Sequence, residues 1–415
     1  MKLSYYGQHY SGPSAIVTLM DDLGSALRAQ PGLLMMGGGS PARIPEVEQL
    51  FQQTLQQIAG DAQQAQLLLG RYQGPKGDLA VRELLAQQLA EEHGWLLAAD
   101  HIALTNGGQS AFGIIANMLA GNSDMGHRTL HFPLVPEYLG YADAGIEPGS
   151  FSASQPAIKF LDDGLFKYTL DPALTIPVSA AALCVSRPTN PSGNVLSDAE
   201  LQWLDAAARQ RDIPLIIDAA YGLLFPALHY SDDSNPYWSD NVILLLSLSK
   251  VGLPGVRSGF VIAKPEFIEA FSRANTILNL AVGNLGPALA LLLLQDRRLQ
   301  GLSREVLQPW YKAKAETALR LMQTALLGVP CHIHIPQGAF FLWLWLPGLP
   351  VSTTQLYEEL KLAGLLVIPG DGSFFALHSP WQHSHECLRL SYAVSDHCLQ
   401  QGSVILAQVL RRIFA

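Results

Sequence analysis

Apolar runs alternate with amphipathic stretches through the middle of this 415-residue chain. Val242–Leu246 is continuously apolar, as expected of a parallel strand that is covered on both faces of its sheet. Ala181–Ser186 and Pro214–Ile217 are likewise predicted strands, and Ser197–Arg211 between them is a predicted helix that opens on a capping box. Strand, helix and strand at this spacing predict an α/β region with a mainly parallel sheet.

The pattern changes character toward the C-terminus. Gly338–Leu346 predicts a strand, Thr354–Ala363 a helix and Leu388–Tyr392 a further short strand, which together indicate a smaller α+β domain. A chain of this length also favours more than one domain. We therefore predict three regions, which are an N-terminal arm with a small-domain segment over 1–45, a large domain over 46–300 and a C-terminal small domain over 301–415.

Composition and charge narrow the class of protein. With 49% apolar and 15% charged residues the chain is globular, and a formal net charge of −9 argues against nucleic acid or an anionic membrane as a partner. Four cysteines without metal spacing predict reduced thiols in a cytosolic protein, and the N-terminus lacks the apolar stretch of a signal peptide. Asparagine, glycine and proline interrupt the apolar segment Leu278–Leu294, which predicts a loop and a buried helix.

Polar residues gather just beyond the predicted strands, where ligands bind in α/β sheets. Arg187–Asn194 (RPTNPSGN) follows the first strand, Asp218–Tyr221 (DAAY) the second, and Ser247–Lys250 (SLSK) the third, with Arg257 seven residues beyond the lysine. Earlier in the chain, Thr105–Ser110 (TNGGQS) opens a predicted helix, and helix N-termini bind phosphate.

Taken together, these residues predict one binding site. It offers an amine nucleophile (Lys250), a buried carboxylate (Asp218) and two hydrogen-bond donors (Asn190 and Tyr221). The remaining members form a predicted phosphate cradle: Gly107, Gly108, Gln109, Ser247, Ser249 and Arg257. Pyridoxal phosphate satisfies all of them, because it carries a phosphate, a ring nitrogen, a phenolic oxygen and an aldehyde that forms a Schiff base with lysine.

The ordered motifs RPTNPSGN, DAAY and SLSKVGLPGVRSG resemble those of the fold-type I pyridoxal-phosphate aminotransferases. The resemblance covers nearly the whole chain, through GGGSP, YQGPKGDLAVRELLA, PLVPEYLGYADAG and CLRLSYA. It implies a large domain with a mainly parallel, seven-stranded type of sheet between helices, joined to a smaller α+β domain. It also implies transamination between an amino acid and a 2-oxo acid by a ping-pong route.

The resemblance assigns roles around the cofactor. Lys250, Asp218 and Tyr221 are the implied catalytic residues. Lys250 would hold the cofactor covalently and move a proton between the substrate Cα and the cofactor, while Asp218 would pair with the ring nitrogen. Asn190 and Tyr221 would bond the phenolic oxygen, and Tyr138 would stack on the ring.

The resemblance also implies how substrate and a second subunit are bound. Arg389 would clamp the substrate α-carboxylate, assisted by Asn190 and the backbone near Gly39. Tyr72 would reach the phosphate of a neighbouring subunit, which implies a homodimer with shared active sites. One departure from the family pattern is Gly108, which stands where a serine is frequent and leaves the phosphate to backbone N–H groups.

Substrate choice follows from the resemblance rather than from residues placed by pattern. Stretches such as MDDL and GAFFLWLWL resemble family members that act on valine, alanine or 2-aminobutyrate with pyruvate or 2-oxoisovalerate, in branched-chain amino acid and alanine metabolism. A dicarboxylic donor needs a second cation, for which Arg43 and Arg71 are weak candidates. An N-terminal segment with three apolar residues either covers the site or packs on a partner subunit: Ile16, Leu19 and Met20.

Other functions compete with transamination. A pyridoxal-phosphate lyase or decarboxylase, or an aminotransferase of other specificity, would retain the same lysine and carboxylate. A regulatory or binding protein of this fold is disfavoured because Lys250 and Arg389 are both present and no DNA-binding segment is appended. No G-x-G-x-x-G follows a strand, which excludes a nicotinamide dehydrogenase. Three histidines are predicted at the surface or in a loop rather than as metal ligands: His378, His383 and His385.

Overall fold

A computed structural model describes residues 1–29, 32–222 and 224–415, in which helices pack against two large β-sheets and a third sheet of only two strands. The helices are α1 (Tyr5–Tyr10), α2 (Ala15–Ala29), α3 (Pro45–Gly60), α4 (Ala62–Gly70), α5 (Leu79–His93), α6 (Gly108–Leu119), α7 (Asp198–Arg209), α8 (Pro265–Asn279), α9 (Leu285–Leu294), α10 (Arg298–Gly301), α11 (Gln308–Ala325), α12 (Thr353–Leu362) and α13 (Asp396–Phe414). The strands are β1 (Leu34–Met35), β2 (Ile102–Thr105), β3 (Gly121–Ser123), β4 (Gly126–Phe132), β5 (Phe151–Ala153), β6 (Ala157–Phe160), β7 (Leu165–Thr169), β8 (Ala180–Ser186), β9 (Leu215–Asp218), β10 (Val242–Ser247), β11 (Gly259–Ile262), β12 (His332–His334), β13 (Phe341–Trp345), β14 (Leu365–Leu366), β15 (Ile368–Pro369) and β16 (Cys387–Ser391).

The larger sheet has the strand order β2-β11-β10-β9-β8-β4, with β5 and the short β3 both paired to β4. Strands β10, β9, β8, β4 and β5 pair in parallel, and β11 runs antiparallel to both of its neighbours. The predicted mainly parallel sheet of seven strands is therefore confirmed, and β3 adds an eighth through a hairpin.

The three strands predicted from apolar runs are present, with bounds that differ by about one residue. All residues of β8 and β10 are buried, because helices cover both faces of the sheet at its centre. Helix α7 begins after Ser197, whose hydroxyl accepts from the Glu200 N–H in the predicted capping box. The three strands therefore end side by side and bring their polar extensions together.

A second sheet carries the C-terminal part of the chain, in the order β15-β16-β13-β12-β7-β6. The predicted strands β13 and β16 pair antiparallel at its centre. Its edge is the hairpin β6–β7, which comes from the middle of the sequence and pairs with β12. The predicted domain boundaries at residues 45 and 300 stay a prediction. By sequence the β6–β7 hairpin falls within the predicted large domain, yet it belongs to the second sheet.

The segment Leu278–Leu294 contains the end of α8, a loop and the helix α9, as predicted. Most residues of α9 are buried. Among the described residues, the helices are all too short or too polar to span a lipid bilayer.

Of the three histidines predicted at the surface or in a loop, His378 and His385 are exposed, whereas His383 lies in the short turn Gln382–His385 but is not at the surface. His383 is 4% exposed, lies 2.5 Å from the hydroxyl of Tyr168 and stacks on Trp381. Burial lowers its pKa to about 3, so the imidazole is neutral and belongs to the core of the second sheet.

Candidate active site

A cavity of about 200 Å³ lies where β8, β9 and β10 end. The two sheets and the N-terminal helix α2 all contribute to its wall. Most of the predicted site residues line it: Gly39, Gly108, Gln109, Tyr138, Asn190, Asp218, Tyr221, Ser247, Ser249, Lys250, Arg257 and Arg389.

Lys250 lies in a short turn that follows β10, and its ammonium group reaches the cavity. Its Nζ donates a hydrogen bond to the carbonyl of Gly39 at 2.6 Å. Burial and the nearby charge of Arg389 lower the pKa of Lys250 to about 8, although Asp218 opposes them. The lowered pKa increases the share of uncharged, nucleophilic amine near neutral pH.

Asp218 is the last residue of β9, and its carboxylate is held from two sides. One oxygen accepts from the N–H of Ala220 at 2.8 Å, and the other accepts from the hydroxyl of Tyr141. Burial raises the pKa of Asp218, and the Tyr141 hydrogen bond opposes that rise. Asp218 is therefore fixed in position and ready to pair with a proton-bearing ligand atom.

Arg389 lies at the centre of β16, and two of its three nitrogens are occupied. Nη1 donates to the side chain of Asn190 at 2.7 Å, and Nη2 donates to the carbonyl of Gly37 at 2.8 Å. The Nε atom is buried without a partner in the described part of the chain. That the backbone near Gly39 assists in binding the substrate carboxylate stays a prediction; in the structure the Gly39 carbonyl accepts from Lys250. The guanidinium stacks 4.4 Å from the Phe341 ring, which fixes its plane.

The predicted phosphate cradle lies at the N-terminus of α6. Gly107 has φ +94°, and a Cβ atom there would lie 2.7 Å from Nη2 of Arg257, so only glycine suits the position. Arg257 Nη1 donates to the hydroxyl of Ser249 at 3.4 Å. The amide of Gln109 donates to the carbonyl of Gly140 at 2.8 Å. This leaves backbone N–H groups, Arg257 and serine hydroxyls to face an anion.

Tyr72 does not reach this cavity. It precedes α5 and is 83% exposed. Gly107 also does not line the cavity wall, although its neighbour Gly108 does.

Two residues were not predicted from the sequence, Tyr141 in the cavity wall and Glu137 buried behind it. Tyr141 bonds Asp218, and Glu137 accepts from the backbone N–H of Ser186 at 2.7 Å. Both belong to the stretch PEYLGY, in which Tyr138 alone was singled out. The sequence did carry a signal for both residues. Tyr141 is a second tyrosine three residues after Tyr138, and Glu137 is an acidic residue directly before Tyr138 in an otherwise apolar stretch.

Helix α2 passes over the cavity and is attached at its middle and just before its first residue. Asp22 accepts from the hydroxyl of Tyr357 and pairs with Lys361 at 3.0 Å, both on α12. Just before the helix, the hydroxyl of Ser14 donates to Asp143 at 2.6 Å. Three apolar side chains of α2 line the cavity: Ile16, Leu19 and Met20. Of the two alternatives left open for this segment, the structure agrees with covering the site, and packing on a partner subunit stays an alternative.

The model of one family, aminotransferase class I and II, matches residues 43–402. The valine–pyruvate aminotransferase of Escherichia coli (strain K12) is 43% identical, over 100% of this chain and 99% of that protein. The chain belongs to the aminotransferase class I and II family. Two solved structures agree with this assignment of the chain to the aminotransferases. The valine–pyruvate aminotransferase of Salmonella typhimurium LT2 has a TM-score of 0.88 at 41% identity, and covers 96% of this chain and 99% of that one. A structure from Psychrobacter arcticum 273-4, named as an amino-acid aminotransferase, has a TM-score of 0.96 at 40% identity, covering 100% and 99%.

This aminotransferase family depends on pyridoxal phosphate, and so does this chain. The cavity fits that cofactor on independent grounds. The hydroxyl of Tyr221 is buried at the cavity wall and has no partner among the described residues, as expected of a group that bonds a ligand. The glycine cradle beside Arg257 suits a phosphate, and a lysine amine suits an aldehyde.

Proposed function

We propose that this aminotransferase exchanges the amino group between a small neutral amino acid, above all valine or alanine, and a 2-oxo acid such as pyruvate or 2-oxoisovalerate. The observation that carries the proposal is one cavity in which Lys250, Asp218 and Arg389 meet under an apolar wall. The identity of 43% to the Escherichia coli valine–pyruvate aminotransferase supports the same substrates.

Residues at or just beyond the ends of five strands would hold the cofactor: β2, β4, β8, β9 and β10. Lys250 would bind its aldehyde carbon, Asp218 its ring nitrogen, and Asn190 with Tyr221 its phenolic oxygen. Tyr138 would lie on the ring, and the phosphate would rest in the cradle defined above: Gly107, Gly108, Gln109, Ser247, Ser249 and Arg257. When bound, pyridoxal phosphate supplies a carbonyl that accepts the amino group and a ring that withdraws electrons from the substrate Cα.

The chain itself positions the substrate and moves its proton. Arg389 binds the α-carboxylate through two parallel hydrogen bonds, for which its flat guanidinium is already oriented by Asn190 and Phe341. Lys250 carries the proton at the substrate Cα, because its lowered pKa lets it accept and return a proton near pH 8. Helix α2 and the second sheet exclude water from the exchange.

The cavity favours neutral side chains. In the described residues its cationic lining is Lys250, Arg257 and Arg389, each of which has a role in the proposal. Neither earlier candidate for a second cation is part of the lining, since Arg43 is exposed and pairs with Glu48 and Arg71 lies elsewhere. A second carboxylate would therefore be buried without a partner against α2, which costs about 3–5 kcal/mol.

We expect kcat/KM for valine and alanine to exceed that for aspartate and glutamate by at least about 100-fold, the rate ratio that 3 kcal/mol gives. The measurement is formation of the new amino acid and 2-oxo acid by one preparation with pyruvate as acceptor. Leu19→Arg places a cation in the wall and is expected to reduce the ratio at least about tenfold. Val17→Arg is the matched control, because Val17 lies on α2 outside the cavity lining. A preference for dicarboxylates contradicts the proposed substrates, and product without amino transfer identifies a lyase.

We also propose a cytoplasmic homodimer with shared active sites. Tyr72 is exposed in the single chain, and its segment is attached by Asn284, whose amide donates to the carbonyl of Arg71 at 2.6 Å. Large apolar side chains near this segment are also exposed, which supports a covered face in the assembly: Leu67, Leu69, Ile277, Leu278, Leu280 and Leu285. All four cysteines are free thiols, which suits the cytoplasm.

Co-expression of Tyr72→Phe and Lys250→Ala subunits tests the shared site. If Tyr72 acts across the interface, a mixed dimer has one complete site, so random pairing restores about one quarter of the wild-type activity. Each variant expressed alone gives the baseline. Mixed dimers that are no more active than this baseline mean that each subunit completes its own site.

A further inference from the structure

Glu137 is a buried acid beside the cavity that the proposed chemistry does not use. It is 1% exposed, and both of its carboxyl oxygens meet Ser186: one accepts from the Ser186 N–H at 2.7 Å, and the other contacts the Ser186 hydroxyl. Within the described ranges it has no ion pair with lysine, arginine or histidine. A glutamate in this position needs an explanation, because an unpaired charge is costly to bury.

A second carboxyl group lies close by. Ser186 is paired with Asp218 in the register of β8 and β9, so the group that binds Glu137 is adjacent to the one that would bind the ring nitrogen. Two carboxylates in one dry site repel each other, and one of them stays protonated. Asp218 has the Tyr141 hydroxyl, an N–H donor and the attraction of Lys250, whereas Glu137 has Ser186 and the backbone N–H of Tyr138 but no nearby cation among the described residues.

The hydrogen-bond pattern around Glu137 suits a neutral acid. A protonated carboxyl has one accepting oxygen and one O–H donor, which match the N–H and the hydroxyl oxygen of Ser186. Burial raises the pKa of Glu137 to about 8; the hydrogen bonds from Ser186 and from the backbone N–H of Tyr138 oppose this rise, and the charge of Asp218 reinforces it. With Glu137 donating, the Ser186 hydroxyl keeps its own proton free to donate into the cavity, which Ser186 lines.

We propose that Glu137 is a positioning residue, a neutral carboxylic acid that orients the Ser186 hydroxyl toward the cavity and leaves Asp218 as the single carboxylate facing the cofactor. The proposal rests on the proposed placement of pyridoxal phosphate in this cavity. It adds that Glu137, rather than Asp218, is the carboxyl group that carries the proton.

Infrared difference spectra between wild-type holoenzyme and Glu137→Gln at pH 7 test the protonation directly. We expect the wild type to show one protonated-carboxyl band that the variant lacks. Glu386→Gln is the matched control, since Glu386 is also buried but accepts from N–H donors of Trp345, Gly348 and Gln382. Absence of a protonated-carboxyl band, or its loss in the control variant instead, overturns the proposal whether or not valine is the substrate.

A second comparison tests the positioning role. Glu137→Met removes the donor and is expected to lower kcat about three- to tenfold, the effect of one hydrogen bond, and glutamine, which still donates, restores it. The visible absorption of the bound cofactor titrates at the same pH in wild type and Glu137→Gln if Glu137 is neutral. A titration in the glutamine variant that moves down by half a pH unit or more means that an anion was removed, and contradicts the proposal.

Discussion

Lys250→Ala is expected to lower transamination by about 10⁴-fold or more. The residue supplies both the amine that binds the aldehyde and the base that moves the Cα proton, and the described cavity lining offers no second amine. Arg257 and Arg389 stay protonated and replace neither function. The measurement is the single-turnover rate with valine, followed in the visible absorption of the cofactor.

The matched control is Lys264→Ala, a change at an exposed lysine that precedes α8 and does not line the cavity. It is expected to leave the rate within about twofold of wild type. A Lys250→Ala enzyme that transaminates at the wild-type rate contradicts the assignment of the catalytic amine.

Asp218→Asn is expected to reduce kcat by about 10²–10⁴-fold, because removing the charged partner of a buried cation costs about 3–5 kcal/mol. An amide keeps the shape and the bond to the Ala220 N–H, but it does not keep the ring nitrogen protonated. Tyr141→Phe removes one hydrogen bond from the same carboxylate and gives a graded comparison, with an expected loss of about two- to tenfold.

The stability of the cofactor-free Asp218→Asn protein separates chemistry from folding. The raised pKa of Asp218 means that its stabilising contribution is present at low pH and is lost as the pH rises through the folded-state pKa. Asparagine does not ionise, so this variant is expected to resist urea at least as well as wild type at pH 7. Normal turnover by Asp218→Asn contradicts the role assigned to Asp218. A variant that is unfolded without cofactor also contradicts it, because the loss of activity then reflects folding.

The strand ends were predictable from the sequence because their signals are local. Each apolar run marks a strand, and the polar residues directly after it, Asp218 and Lys250 among them, are carried to the same edge of the sheet. The capping box before α7 is equally local. These signals were sufficient for the α/β class and for the site residues at the strand ends, whereas Tyr138 and Arg389 were assigned from the family resemblance.

Contacts between distant segments were not predictable in this way. Tyr141 meets Asp218 across 77 positions, and its role depends on how the PEYLGY loop packs against Phe112. The hairpin β6–β7 joins the second sheet through β12, and no feature of its own sequence specifies that partner. The hydrogen bond from Arg389 to the carbonyl of Gly37 likewise depends on a separation of 352 residues.

The placement of α2 divides the active site between two parts of the gene. The floor that would hold the cofactor comes from the sheet, whereas the apolar wall over it comes from a short helix encoded near the start of the chain. Selection can therefore alter which amino acids are accepted by changing a few early codons, while the chemical apparatus is inherited intact. The same arrangement makes this helix the economical target for recombining specificities among related enzymes, and it argues for placing purification tags at the other terminus, after α13.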